Sequence, residues 1–240
     1  MEEKSMLCLI KAEIYKLVHD RSFFILLALS IVLGGFLMLD QGELTGYESV
    51  FASLYNAPIL MLLTCVFGAL YIGKDFADHT LYHIICAGHS RNHVFLSKTI
   101  LFVAGSNMIL LLQPILSIAL NAGIYGWGHQ SFGSDLKEII KLFLTTAVLN
   151  AAMCGISLLA AFICKDVGKT LSIPALFYFL TIFLLNGPNA KEIARFIPLG
   201  QLRLLIGDSS STGAALLVGI IFLGCFCVAA GRIFNHSELY

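Results

Sequence analysis

Four histidines crowd one stretch, Gly73–Lys98, which reads GKDFADHTLYHIICAGHSRNHVFLSK. His79/His83 and His89/His93 each stand four residues apart, a spacing that sets two imidazoles on one helix face and can chelate zinc or nickel. Asp75 and Asp78 are close enough in sequence to join such a site. The plainer alternative is a group of surface histidines at a polar protein interface, whose protonation would make that interface pH-sensitive. His79-Thr-Leu-Tyr-His83 lacks the glutamate of H-E-x-x-H, so a metalloprotease has no general base here. Just upstream, Gly68-Ala-Leu-Tyr-Ile-Gly73-Lys74-Asp75 imitates a phosphate-binding loop. Asp75 stands where a hydroxyl should ligate magnesium, it would repel phosphate, and the run closes an apolar stretch instead of a strand. Nucleotide binding is not expected at this run.

Such residues must be positioned by apolar elements, because the chain offers little else. Of 240 residues 58% are hydrophobic and 12% charged, against about 25% charged in soluble domains. A spanning helix needs about 20 mainly apolar residues. Six stretches qualify: Ser22–Leu39, Tyr55–Ile72, Thr99–Ile124, Ile139–Cys164, Leu171–Asn186 and Thr212–Phe234. The fifth is expected to open near Pro174, in a first helical turn, and Pro114 to kink the third. Almost no charge falls inside these runs, so a proton relay or sodium site has no evident ligand. Their polar residues are Asn107, Gln113, Asn121 and Asn150. Amides in hydrocarbon serve as interhelical glue or line a solute path, and both readings stand. The seven cysteines fall mostly in or beside apolar runs without metal spacing. A disulfide framework is not expected.

Basic residues orient the spans. With the N-terminus inside, ten Lys and Arg fall on the cytoplasmic side and five outside; both termini are therefore expected in the cytoplasm. Before the first span, Leu7, Ile10, Ile14, Leu17 and Val18 recur at helical spacing with Glu13, Lys16 and Asp20 opposite, which predicts a helix over residues 1–21 lying in the membrane interface. Within Gly73–Lys98, Leu81, Ile84 and Ile85 form a small apolar face, Gly88 suits a helix C′ position and Ser90 an N-cap. The expectation is a short cytoplasmic helix between spans two and three, able to pass a push from a soluble partner into the bilayer. The fold class is all-α: a six-span membrane protein with an interfacial helix and this coupling helix. Zero net charge argues against nucleic acid as a partner.

Asp75-Phe76, Thr80, Gly88-His89-Ser90-Arg91 and Lys98 resemble the loop between the second and third helices of ABC-2 type transporter permeases. Glu13-Ile14-Tyr15-Lys16-Leu17 is similar to that family's opening helix, and Phe196-Ile197-Pro198-Leu199-Gly200-Gln201 to its segment before the last span. His79 departs from the pattern, which usually has Gly before Thr80. The resemblance implies one transmembrane domain over 1–240: the permease half of a bacterial exporter in the plasma membrane, moving an amphipathic or hydrophobic solute such as a peptide, lipid or drug. Antimicrobial-peptide export or self-protection is among the roles implied. It implies a second permease half, ATP-binding-cassette ATPase subunits that hold ATP and magnesium, and no catalytic residue or cofactor in this chain. Glu13, Lys16, Asp75, Phe76, Thr80, Leu81, Ile84, Gly88, Ser90 and Arg91 would form the ATPase contact, and residues 187–211 an extracellular gate. A non-transporting anchor or sensor shares every one of these features. An intramembrane enzyme fits less well, since the spans lack acids.

Overall fold

Asp20 divides the first two helices. Its side chain accepts the amide of Ser22 at 2.9 Å and so caps a new helix, instead of lying on the polar face of the helix before it. In the computed structural model, residues 2–129, 132–207 and 212–237 are described, and among them there is no strand. The helices are α1 (Glu2–His19), α2 (Arg21–Met38), α3 (Gly46–Tyr55), α4 (Ala57–Gly68), α5 (Lys74–Ala77), α6 (Thr80–Cys86), α7 (Arg91–Tyr125), α8 (Phe132–Cys164), α9 (Val167–Leu184), α10 (Ala190–Ala194), α11 (Pro198–Gly207) and α12 (Thr212–His236). Six helical segments are long and apolar enough to cross a bilayer: α2, the run from α4 through α5, α7, α8, α9 and α12. The protein is an all-α, multi-pass membrane protein.

The run Ala57–Ala77 and α8 form the middle of the bundle, with 72% of each apolar window buried, whereas α12 is 17% buried. Helices as apolar and exposed as α2, α9 and α12 need lipid or another chain around them. Close approach inside comes from small residues. A Cβ on Gly105 would meet the Phe67 ring at 2.8 Å, and one on Gly155 would meet Phe226 Cβ at 2.9 Å. Phe76, Phe95, Phe162 and Phe234 interlock at ring separations of 5.1–6.3 Å near the chain ends.

Several boundaries differ from the pattern in the sequence. The loop expected over Asp40–Leu54 contains α3, whose N-terminus is a capping box: Glu48 N–H donates to Thr45 Oγ1, and Thr45 N–H to Glu48 Oε2 at 3.1 Å. The Thr45 amide, and the Thr45 hydroxyl donating to Glu48 Oε2 at 2.9 Å, hold the Glu48 carboxyl below its ordinary pKa. Helix α9 opens at Val167, where Asp166 accepts the Lys169 amide at 2.8 Å. Pro174 therefore sits inside the helix and not in its first turn. Helix α7 runs unbroken through Pro114 for 35 residues, or about 52 Å at 1.5 Å per residue. That exceeds the ~30 Å of hydrocarbon, so its ends project into the interfaces. Segment 187–211 folds as α10 and α11 as far as residue 207; residues 208–211 lie outside the described residues.

Candidate functional site

Lys98, in the second turn of α7, is 1% exposed. A buried ammonium is tolerated only where anions and acceptors surround it, and three elements supply them. Helix α1 brings Glu13, whose Oε1 lies 2.6 Å from Lys98 Nζ. Helix α5 brings Asp75, which pairs with Lys98 through one oxygen and with Lys16 of α1 through the other. Between α4 and α5, residues Ala69–Gly73 form a π turn, a rare element that re-aims side chains at functional positions. It delivers the buried Tyr71, whose hydroxyl donates to Glu13 Oε2 at 2.6 Å. Lys16 and Lys98 Nζ stand 5.3 and 5.1 Å from the Tyr71 ring centre, within cation–π range. Two acids and two bases alternate, the cluster is neutral, and it fastens α1, α5 and α7 together.

Beside it hangs the short helix expected from Leu81, Ile84 and Ile85. It spans Thr80–Cys86. Gly88 follows at φ +95°, and the Ser90 hydroxyl accepts the His93 amide at 3.4 Å to start α7. Orientation is where the residue pattern misleads. Glu13 faces inward between Leu9 and Leu17, while Leu7, Ile14 and Val18 point outward. Asp75, Phe76 and Leu81 are buried, and Ile84 packs against the core. Four of the residues read as a partner contact are thus interior: Glu13, Asp75, Phe76 and Leu81. Lys74, Asp78, Tyr82, His83, Cys86, Gly88 and Ser90 are exposed, and Lys16 and Thr80 partly so. A hydrogen bond with Cys86, one turn on, raises the Tyr82 hydroxyl above its ordinary pKa.

Arg91 is committed within the chain. Its Nη1 donates to the carbonyls of Phe234, Asn235 and Ser237 at 3.2, 3.1 and 2.8 Å, capping the open end of α12 with a cation. This also ties the end of the chain to the end of the bundle that holds α1. Arg91→Ala should fray the last turn of α12 at a cost of about 1–2 kcal/mol. Hydrogen exchange of residues 231–237 checks it, with faster exchange there and no change in α2.

His79 occupies a position that suits glycine better. It has φ 54° and ψ 18°, the left-handed region, which strains any residue with a Cβ. His79→Gly should raise stability by about 0.5–1 kcal/mol, read as a higher melting temperature in detergent. An unchanged or lower value would show that the imidazole compensates through contacts. Among the described residues no three His, Cys, Asp or Glu side chains assemble a metal site.

The span amides divide. Asn107 and Asn121 donate to the carbonyls of Val103 and Ser117, one turn back in α7, at 3.1 and 2.9 Å; neither bond reaches another helix. Gln113 fills a hollow opened by Gly34, where a Cβ would stand 2.1 Å from Gln113 Cγ. Asn150 is fully buried with neither amide atom hydrogen-bonded, a cost borne in the centre of α8.

At the opposite end lies a cluster the sequence pattern passed over. The α3 entry joins the 126–128 loop through Gly46 N–H to Gly126 O at 2.9 Å and Tyr47 N–H to Trp127 O at 3.0 Å. Tyr47 stacks on His129 with ring centres 4.3 Å apart. Asp135 accepts from Trp127 Nε1 and pairs with His129 Nδ1, both at 2.8 Å. Burial, then Glu138 and Asp135, raise the Tyr47 hydroxyl above its ordinary pKa. The signals were the aromatic spacing and Asp135 at the start of an apolar run.

Fold and site together define a class: a polytopic helical membrane protein whose chain-terminal end is locked by buried ion pairs. No protein-family model matches the chain, and no curated protein matches it.

Proposed function

We propose that the chain is the permease subunit of an ATP-binding-cassette exporter of the ABC-2 type. It would move an amphipathic or hydrophobic solute across a bacterial cytoplasmic membrane, with both termini in the cytoplasm. The observation that carries this reading is the neutral cluster Glu13–Lys98–Asp75–Lys16 with Tyr71. It joins the opening helix, the end of the second span and the start of the third into one body beside α6. A push on the outer face of α6 is then delivered to α1 and α7 as a unit, because separating them would bare buried charges. The second permease half would cover the exposed apolar sides of the bundle, and the partner ATPase would hold ATP and magnesium. The order of motifs along the chain supports the same assignment.

The test is reconstitution with the cognate ATPase in liposomes. ATP-dependent flux of a fluorescent amphipathic peptide or lipid is expected. Tyr82→Ala with His83→Ala should release the ATPase while leaving the melting temperature unchanged, since both residues are exposed. Full ATPase retention and flux in that variant would reject the coupling role. ATPase retention by the unmodified chain without flux would identify an anchor or sensor instead.

A further inference from the structure

At the end of the bundle opposite the charge cluster, a cavity of about 350 Å³ opens between α3, α8, α11 and the start of α12. Its lining divides by chemistry. Leu142, Leu205 and Ile206 give an apolar floor, Tyr47 gives an aromatic wall, and Glu138 and Lys141 stand at the rim. Both charged side chains are exposed. Neither takes part in an ion pair among the described residues. Three residues apart, they share a helix face.

We propose that this cavity binds the headgroup of a zwitterionic phospholipid, with the ammonium at Glu138 and Tyr47, the phosphate at Lys141 and the first acyl methylenes on the Leu142–Leu205–Ile206 floor. The order of the charges selects this ligand. Helix α8 enters the bundle from this end, so Glu138 lies about 4.5 Å nearer water than Lys141. In a zwitterionic phospholipid the phosphate sits next to the glycerol and acyl chains, and the ammonium lies beyond it. Acid outside and base inside match that sequence; an anionic lipid such as phosphatidylglycerol offers Glu138 no cation beyond its phosphate. Depth agrees as well. Helix α8 has 33 residues, about 50 Å, so its first turns stand outside the ~30 Å of hydrocarbon. Tyr47 and Trp127 sit beside the cavity, and their residue types belong at a membrane interface. The volume suits a headgroup and the start of its chains. One face of the Tyr47 ring is stacked on His129, and the Glu138 and Asp135 carboxylates lie near the ring, a setting that favours an ammonium.

Trp127 is the only tryptophan in the chain, and its ring centre lies 6.1 Å from that of Tyr47, so its emission reports on the cavity. The protein is placed in phosphatidylglycerol nanodiscs and titrated with dihexanoyl phosphatidylethanolamine. Dihexanoyl phosphatidylglycerol is the anion-only arm, and glycerophosphoethanolamine the headgroup without tails. Lipid retained through gel filtration is counted as a second readout. A saturable emission change is expected for the zwitterionic lipid. Its half-saturation should rise about tenfold in Glu138→Gln and in Lys141→Gln, the loss of one charge-assisted contact. The exchanged pair E138K/K141E keeps both charges but inverts their order and should bind as poorly as either single variant. Equal binding of phosphatidylglycerol, unchanged half-saturation in the variants, tight binding to the exchanged pair, or no saturable change together with no retained lipid would each overturn the proposal. Equal binding of the tailless headgroup would reject a lipid in favour of a free zwitterion. None of these measurements needs an ATPase, so their failure is separate from failure of the exporter reading.

Discussion

Replacing Lys98 by Met is expected to destabilise the fold by about 3–5 kcal/mol, because it strands buried carboxylates without a counter-charge. Among the described residues Glu13 would lose its one paired cation, and Asp75 would keep Lys16 alone. The loss should appear as a lower melting temperature in detergent and a lower yield of folded protein in membranes. Lys16→Met removes the other base, but that side chain is 37% exposed. Water screens the pair, and about 0–1 kcal/mol is expected. The contrast tests the geometry, since both lysines carry the same charge and only one is sealed. A second variant guards against a trivial folding defect. Lys98→Met with Glu13→Gln rebalances the cluster and leaves Tyr71 an acceptor, so much of the lost stability should return through the coupling of neighbouring sites. A Lys98→Met protein that melts within about 0.5 kcal/mol of the parent would place it among neutral surface changes and remove the lock.

The same cluster shows what the sequence made legible. Six apolar runs announce six spans because a bilayer requires long uncharged helices, and little competes with that rule. Ser90 and Gly88 announce the break before α7 because caps are local: each answers to backbone groups within a few residues. The side of a helix that turns inward is a different matter. On α1 apolar residues lie on the buried side, Leu9 and Leu17, and on the exposed side, Leu7, Ile14 and Val18, so the apolar stripe alone does not tell which side turns inward. What decides the orientation is Lys98, 85 residues from Glu13 along the chain. The π turn that delivers Tyr71 has no sequence mark either; it ends at Gly73, which lies so close to α9 that a Cβ would stand 3.2 Å from Val167 Cα. Arg91 has a role within the chain that its local sequence does not show. Its guanidinium closes a helix that ends more than 140 residues later, a pairing that no local pattern marks.

Gly200→Ala is the second substitution expected to act strongly, and it acts by overlap where Lys98→Met acts by charge. A Cβ at Gly200 would lie 2.3 Å from Ala194 Cα and 2.6 Å from its carbonyl oxygen. Backbone cannot rotate aside as a side chain can, so α10 and α11 must separate, at a cost near the upper end of the 1–3 kcal/mol typical of overpacking, about 3 kcal/mol. Gln201 resists the separation from the same hairpin, donating to Arg195 O at 2.5 Å. The Phe196–Gln201 segment is therefore held by close packing at Gly200. Displacing α11 also moves Arg203, whose Nη1 caps α9 at Leu185 O, 2.9 Å away, and Leu205 and Ile206, which floor the cavity. One added methyl should thus lower the melting temperature and shift Trp127 emission together. Gly207→Ala, with open space around its Cβ, should stay within about 0.5 kcal/mol of the parent. Gly34→Ala should fall between them, because the atoms in its way belong to the Gln113 side chain. If Gly200→Ala melts like Gly207→Ala, the α10–α11 contact is slack, and the α11 wall of the cavity is not a fixed surface.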